Sequence, residues 1–508
     1  MEIINYFQWL SVVMASMLAG ISFPAVISFM FQNFLPPLIP QPLHEAWAGW
    51  ILALFVMGLL AALGCTITEK LQGKTAYISN TEFFLFGWLL GSWIGTILLF
   101  FLVITNAFTP SVLGILCVVF CIISKKYILE FLSSWINQFR HPPSIGKKET
   151  GSTVFIFLLI VIFIFIFYLP LLIQTLLPNT DWDAAIYHLP KAESLLHGMW
   201  RNNDPLLAHM SNPGGPNLFY AVFMAFGLET AVIPYNFLIN LCIILCIFTF
   251  TKRFWGLRAA CWGAAILATT PLFLKLGVDP RTDNFLAFYI LLMVYALFIW
   301  LEKPQRSISL LFVAVGFSLA LGVKYTALFF GGIVTLITLF MMLYYWRNGS
   351  FLHPVRWFFI CTFIVIIPNS VWYINNFLAF RNPVYPIHSG LCYSTPDGQL
   401  RKLKKDLEPH LKRALTIPSV KKHNEVLNSV SIDLPKHIFN FYDIIKYPHR
   451  YNRKSNILFQ PILLLGFLVP IFFYRNKRVL TLYGIGVIYY VVISYFSSGV
   501  LRYALPSI

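Results

Sequence analysis

Charged residues are scarce in this chain, and acidic residues are the scarcest. Only 11% of its 508 residues are Asp, Glu, Lys or Arg, whereas soluble domains carry roughly 25%. The hydrophobic share is 58% and the mean hydropathy is +0.72. A soluble globular protein of this length would need many more charged side chains. The composition therefore excludes that class and indicates a membrane protein.

Cysteines are few and form no recognisable pattern. Seven of the eight lie inside apolar runs, and only Cys392 lies in a polar stretch, so no disulfide framework is expected. No Cys/His spacing typical of a metal site occurs. No cleavable signal peptide is expected, because the first apolar run is long and Glu2 stands where a signal peptide would be basic.

Long apolar runs dominate what is present. Crossing the hydrocarbon core takes roughly 20 apolar residues as a helix. We predict an all-α polytopic membrane protein with about 13 transmembrane helices. The predicted spans are residues 5–31, 46–66, 83–105, 108–123, 153–178, 231–250, 259–277, 284–301, 308–322, 326–345, 357–374, 457–474 and 479–496.

The distribution of lysine and arginine orients these spans. Basic residues cluster in alternate connections, which is typical of the cytoplasmic side. The net charge of +17 is therefore attributed to topology, and no nucleic-acid partner is expected. We predict that the protein lies in a bacterial-type inner membrane and that its basic loop 125–150 is cytoplasmic. The predicted external loops are 32–45, 179–230, 278–283, 375–456 and 497–508. Residues 187–200 of the first long loop form an amphipathic stretch, for which interfacial helices are predicted.

Some ionisable residues lie on the external side of this topology, at membrane ends or in short loops. They are Asp181, Asp183, His188, Lys275, Asp279, Arg281, Asp283, Lys324 and Arg502. Charged side chains at the level of the membrane are energetically costly, so such residues are candidates for function. Each also has an ordinary interpretation, as a helix cap, a solvated loop acid or a snorkelling lysine. Both signs of charge on one face predict a site for an anionic group beside a carboxylate.

Five motifs occur in an order that resembles a known family. They are Asp183-Ala-Ala-Ile-Tyr187-His188-Leu-Pro190, Thr282-Asp283 at the start of a span, Gly322-Val-Lys324, Asn382-Pro383-Val-Tyr385-Pro386 after Trp372, and Arg502-Tyr503-x-Leu-Pro506. Together they resemble membrane glycosyltransferases of the GT-C fold, in the bacterial branch related to protein mannosyltransferases and aminoarabinose transferases. One departure is that no His-Pro-Pro-Leu follows Asn212-Pro213-Gly214-Gly215-Pro216.

The resemblance implies transfer of a sugar from a polyprenyl-phosphate donor, on the extracytoplasmic face, with inversion. The acceptor would be a glycan, a lipid or a protein, and membrane lipid surrounds the site. Asp183 would be the general base, with Asp283 as the second catalytic carboxylate. The donor phosphate would meet Lys324, Arg502, Lys275 and Arg281, and the substrate would be positioned by Tyr187, His188 and Tyr503. No cofactor is expected, and dependence on a divalent cation stays open.

The resemblance also suggests a domain order. Residues 1–124 would be an N-terminal transmembrane extension, 125–150 the cytoplasmic loop and 151–374 a GT-C-like core containing the external loop 179–230. An external subdomain at 375–456 and C-terminal helices at 457–508 follow, and we expect the chain to be truncated after Ile508. Two other functions stay open: a transporter or flippase for a lipid-linked glycan, and a glycan polymerase or ligase of another fold.

Overall fold

The computed structural model describes residues 41–72, 79–140, 165, 167–177, 181, 183–201, 210–304, 308–349 and 353–385, and these ranges contain helices but no strand. The α-helices are α1 (Gln41–Gln72), α2 (Asn80–Ile104), α3 (Pro110–Ile123), α4 (Lys125–Arg140), α5 (Leu189–Leu196), α6 (Gly215–Ala225), α7 (Val232–Trp255), α8 (Leu257–Ala268), α9 (Pro271–Val278), α10 (Asp283–Glu302), α11 (Ile308–Leu321), α12 (Ala327–Arg347) and α13 (Pro354–Phe380). A π-helical turn, Ala184–His188, precedes α5, and a 3₁₀ turn, Glu229–Ala231, precedes α7.

Six helices in the described ranges are long and apolar enough to cross a membrane, and two bent pairs raise the number to eight at most. The six are α1, α2, α7, α10, α12 and α13, and each coincides with one predicted span. The chain is therefore an integral multi-pass membrane protein. The predicted total of about 13 spans is not confirmed. Spans 5–31, 457–474 and 479–496 lie outside the described residues, and 153–178 is described only in part.

Short sequence signals set where several helices begin and end. Ser79 and Glu82 form a capping box at the start of α2, in which each side chain accepts a hydrogen bond from the other residue's backbone N–H, at 3.2 and 2.7 Å. Thr109 caps α3, and Pro110 follows at its first turn. Gly256 ends α7 with φ of +87°, a conformation that glycine adopts without strain.

The predicted span 259–277 is not one straight helix. It consists of α8 and α9, which are bent by 68° at the break between them. Pro271 has no backbone N–H and therefore interrupts the helical hydrogen bonds. The hydroxyls of Thr269 and Thr270 each donate to the carbonyl four residues earlier at 2.8 Å. The bend directs the end of α9 into the loop that carries Asp279.

The basic connection 125–150 begins as a helix. α4 is bent by 77° from α3, so the two do not form one straight helix. Tyr127 of α4 packs on Phe83 of α2 with ring centroids 5.3 Å apart. Lys126 forms an ion pair with Glu69 of α1. The first part of the predicted cytoplasmic loop is thus attached to the N-terminal helices.

The chain divides into two compact units. The first comprises Met1–Trp200, Gly214–Ala327 and Thr335–Asn369, and the second comprises Arg201–Pro213, Leu328–Val334 and Ser370–Ile508. In the second unit, Asn376 donates to the carbonyl of Ser211 at 2.9 Å. Phe380 stacks on Tyr385, with ring centroids 4.0 Å apart, at the predicted Asn-Pro-x-Tyr-Pro motif.

Helices α1 and α2 belong to the core of the first unit. Glycines let them approach closely, since a Cβ on Gly64 would lie 1.7 Å from the carbonyl oxygen of Gly87. Trp88 of α2 is fully buried and stacks on Phe288 and Tyr289 of α10, at 4.9 and 5.8 Å between centroids. The segment expected to be an N-terminal extension therefore supports the same helices that carry the candidate site.

α10 begins at Asp283, and a charged cluster lies at its other, C-terminal end. Glu82 is buried and accepts hydrogen bonds from Arg253, at 2.7 Å, and from the Tyr295 hydroxyl. Arg253 also pairs with Glu302 at 3.1 Å. A helix of 20 residues is about 30 Å long, the thickness of the hydrocarbon core. α10 is therefore long enough to span the membrane and has a charged cluster at each end.

Candidate active site

Arg281 is the centre of an acidic cluster in the first unit. It lies in the short loop between α9 and α10. Its Nε donates to Asp181 Oδ2 at 3.0 Å, and its Nη2 contacts the other oxygen of the same carboxylate. Its Nη1 lies 2.8 Å from Asp183 Oδ2. A planar guanidinium suits this fork geometry, so one arginine orients two carboxylates that lie two residues apart.

Asp181 and Asp183 differ in exposure and in hydrogen bonding. The side chain of Asp181 is 5% exposed, and its Oδ2 also accepts the backbone N–H of Ala184 at 2.9 Å. The side chain of Asp183 is 20% exposed. Asp181 therefore anchors the start of the helical turn, while the carboxylate of Asp183 is more open to a substrate.

A π-helical turn places His188 inside the same region. π-turns are rare and often occur at functional sites. The backbone carbonyl of His188 accepts from the Asn217 amide of α6 at 2.8 Å. The imidazole is 4% exposed, and its Nε2 has no hydrogen-bond partner within the described ranges. Burial lowers the pKa of this imidazole well below its usual value, and the positive charge of Lys324 lowers it further.

Lys324 and Asp283 form a buried ion pair. Lys324 Nζ lies 2.8 Å from Asp283 Oδ1, and the two side chains are 12% and 4% exposed. Asp283 is the first residue of α10, where the helix dipole stabilises a negative charge. The loop before Lys324 is held by Gly322, whose carbonyl accepts from the N–H of Gly215 at 2.8 Å.

Asp279 is a third carboxylate close to Arg281. Its Oδ2 lies 3.7 Å from Arg281 Nε. Burial raises the pKa of the Asp279 carboxyl to about 6, and the charge of Asp181 adds to this effect, while Arg281 and Lys275 oppose it. The cluster is therefore sensitive to protons in a range where an ordinary aspartate is fully ionised.

The structure brings most of the predicted site residues into one unit. Asp183, Asp283, Lys324, Arg281 and His188 lie in this region, and the ring of Tyr187 is 4.2 Å from the imidazole. Lys275 lies in α9, near Asp279. Arg502 and Tyr503 lie outside the described residues. Arg281 was predicted to bind phosphate, but three carboxylates surround its guanidinium.

Sequence reasoning missed Lys191. It is 5% exposed, and it follows His188 by three residues, which is the spacing of one helix face. That spacing was a signal available from the sequence. Within the described ranges, no three His, Cys, Asp or Glu residues are arranged to hold a metal ion.

A comparison with protein families supports a membrane transferase. Residues 216–372 match the dolichyl-phosphate-mannose-protein mannosyltransferase family. This is a family of membrane glycosyltransferases of the GT-C type, and the matched segment is similar to it. The segment contains Asp279, Arg281, Asp283 and Lys324 but not Asp183, and it is under a third of the chain. Neither the curated proteins nor the solved structures yielded a match.

Proposed function

We propose that this protein is a glycosyltransferase that moves a sugar from a polyprenyl-phosphate donor to an acceptor on the extracytoplasmic side of the membrane. The observation that carries the proposal is the grouping of Asp183, Arg281, Asp283 and Lys324 at one end of α10. The family match over 216–372 supports the reaction class. Lys and Arg at the predicted external end of the spans oppose the usual charge bias, which suits an anionic substrate there.

Asp183 is the proposed general base. Its carboxylate would take the proton from an acceptor hydroxyl or amine as that atom attacks the anomeric carbon. The new bond forms to the anomeric carbon while the bond from that carbon to the phosphate oxygen breaks. The electron pair of the broken bond leaves with the lipid phosphate, and the configuration inverts. Arg281 orients the Asp183 carboxylate for this task through the contact between Arg281 Nη1 and Asp183 Oδ2.

The charge that develops on the phosphate needs fixed cations close by. Lys324 is our principal candidate, because its ammonium lies at the start of α10 and is held by Asp283. Asp283 would then position the lysine rather than take a proton. We assign Arg281 to orienting Asp183, since three carboxylates surround it. Lys275, Arg502 and Tyr503 stay proposals for donor binding.

Substitution of the two neighbouring aspartates tests the proposal. Asp183→Asn should abolish transfer while donor binding and thermal stability change little, because it is nearly isosteric and removes only the proton acceptor and one partly exposed ion pair. We expect a loss of turnover of about 10²–10⁴-fold. Asp181→Asn should instead lower the thermal stability, because the fork with Arg281 is buried.

The assay is transfer from a polyprenyl-phosphate sugar by purified protein, with donor binding measured in parallel. Near-normal transfer by Asp183→Asn would show that this residue is not the base. A flippase has no proton to abstract, so a transporter would tolerate Asp183→Asn or would fail in binding instead. Loss of donor binding in Asp183→Asn would therefore favour the transporter.

A further inference from the structure

The C-terminal end of α9 is held by amide side chains from two neighbouring helices. α9 ends at Val278 and leads into the loop 279–282, which carries Arg281. Asn236 lies near the start of α7, and Asn284 is the second residue of α10. Both asparagines are completely buried. A buried amide needs hydrogen-bond partners, and here the backbone at the end of α9 supplies them.

Asn236 binds the backbone of this region at several points. Its Nδ2 lies 2.7 Å from the carbonyl oxygen of Leu276, 2.7 Å from that of Asp279 and 3.3 Å from that of Gly277. Asn284 Nδ2 also donates to the Leu276 carbonyl, at 2.8 Å. Because only the NH2 side of an amide can donate to a carbonyl, these contacts determine the orientation of the Asn236 side chain.

Pro280 explains why the backbone needs these amides. In a continuing α-helix each carbonyl accepts from the N–H four residues later, so Leu276 would use residue 280 and Gly277 would use Arg281. Proline has no N–H. The N–H of Arg281 donates instead to the Asp279 carbonyl, at 2.6 Å. Two buried carbonyls therefore lose their usual donors, and the two asparagine amides replace them.

A short series of contacts connects Asn236 with the proposed general base. The carbonyl oxygen of Asp279 accepts both from Asn236 Nδ2 and from the N–H of Arg281. The side chain of Arg281 then reaches Asp183, with 2.8 Å between Nη1 and Oδ2. A shift of this loop would displace the guanidinium and the carboxylate that it orients. Misplacement of a reacting group by about 1 Å can lower a rate by about 100-fold.

We propose that Asn236 is a positioning residue for the proposed general base, Asp183: its buried amide fixes the loop of Arg281, whose guanidinium orients that carboxylate. The inference rests on the proposed glycosyltransferase function. Loss of the amide should lower turnover and leave binding of the lipid-linked donor nearly unchanged. The reason is that Lys324, our principal candidate for binding the phosphate, lies in another loop, between α11 and α12.

Asn240, one turn further along α7, provides a matched control. It is also completely buried, and its Nδ2 donates to the carbonyl of Phe273 within α9, at 3.0 Å. Its Oδ1 accepts from the Tyr168 hydroxyl at 2.7 Å. Asn240→Leu therefore removes two buried hydrogen bonds, and neither of them is made to the loop 279–282. A purely structural role of the buried amides predicts similar effects at the two positions.

Sugar transfer by purified protein from a polyprenyl-phosphate donor compares the two variants. Leucine is similar in shape to asparagine but has no donor. We expect Asn236→Leu to lower kcat by about 10- to 100-fold, as for two lost hydrogen bonds, with the donor KM changed by less than about threefold. Asn240→Leu should keep kcat within about threefold of the unmodified protein, although it should lower the melting temperature at least as much.

A double-mutant cycle shows whether Asn236 acts through the base. The residual transfer of Asp183→Asn should not fall further when Asn236→Leu is added, because an orienting effect needs the carboxylate. Hydrogen exchange of the segment 276–283 is a second readout, and it requires no sugar. Exchange should be faster in Asn236→Leu than in Asn240→Leu or the unmodified protein, because the loop has lost its anchor.

Normal turnover by Asn236→Leu would overturn the proposal, as would equal losses of kcat in Asn236→Leu and Asn240→Leu. An undiminished effect of Asn236→Leu in the Asp183→Asn background would overturn it as well. If Asn236→Leu does not fold, Asn236→Ser, which keeps one donor, decides the question by the same measurements. Failure of the proposed function is separate, because the unmodified protein would then transfer no sugar while hydrogen exchange still reports whether Asn236 fixes the loop.

Discussion

At the scale of single residues, Arg281 determines what its neighbours can do. One guanidinium is shared by Asp181 and Asp183, and Asp279 lies at its edge. The two aspartates of the Asp-Trp-Asp sequence therefore differ. The Asp181 carboxylate is buried and makes a bidentate contact with Arg281, whereas the Asp183 carboxylate is partly exposed. All four residues were candidates from the sequence, and the assignment of Arg281 to the donor phosphate stays a prediction.

Asp279 gives a prediction about stability and pH. Its pKa is raised to about 6 in the folded protein, mainly by burial, whereas an unfolded aspartate titrates near 4. The folded state therefore holds the proton more tightly, and the ionised carboxylate destabilises the fold above about pH 6. Asp279→Asn should raise the free energy of unfolding by about 1–3 kcal/mol at about pH 8, and by much less near pH 4.

Thermal unfolding of the purified protein in detergent measures this difference at the two pH values. The exposed Glu229→Gln, on the same predicted side of the membrane, is the control and should have little effect at either pH. A stabilisation by Asp279→Asn that is equal at both pH values would contradict the explanation, because a titrating carboxylate must act differently above and below its pKa.

At the scale of helices, close packing places the N-terminal pair in the core. α1 and α2 approach so closely that Gly64, Gly87 and Gly91 have no room for a side chain. Trp88 then reaches the face of α10, whose first residue is Asp283. The sequence predicted these two spans correctly, but hydropathy does not report which helices touch, so their packing against α10 was not predicted.

Two glycines of α1 provide a matched test of this packing. Gly64→Ala should lower the free energy of unfolding by about 1–3 kcal/mol or more, because the new Cβ would lie 1.7 Å from a backbone oxygen that cannot move aside. Gly58→Ala, on the same helix, meets nothing within 4 Å and should be neutral or slightly stabilising, since alanine favours helix. Thermal unfolding and the yield of folded protein in the membrane are the measurements. Equal behaviour of the two variants would refute the packing argument.

At the scale of the whole molecule, charge is concentrated at the two ends of the membrane-spanning helices. Glu82, Arg253 and Glu302 meet at one end of α10, and Asp283 and Lys324 meet at the other. The distribution of Lys and Arg in the sequence predicts that the first end is cytoplasmic. The candidate site would then face the extracytoplasmic side, where a lipid-linked donor would be used.

Labelling of introduced cysteines with a membrane-impermeant reagent tests this orientation. In a Cys392→Ser background, Glu193→Cys on α5 should be labelled in intact cells. Lys252→Cys lies near the C-terminal end of α7, on the predicted cytoplasmic side. It should be labelled only after the membrane is permeabilised. Both positions are exposed in the structure, so access to the reagent should depend on the side of the membrane. Cys392 itself, in the predicted external loop 375–456, should be labelled in the parent protein. Labelling of Lys252→Cys in sealed cells would overturn the topology.

The sequence by itself determined the membrane class, the positions of six confirmed spans and the candidate residues of the site, because hydropathy and the sign of charge are properties of local stretches of chain. Only the tertiary structure decided which charges meet. Asp181 and Arg281 are 100 residues apart in the chain, and Lys324 and Asp283 are 41 apart. It also buried Lys191 against Gly214 and divided the span 259–277 at Pro271. These outcomes depend on distances between packed helices, which no local pattern of residues encodes.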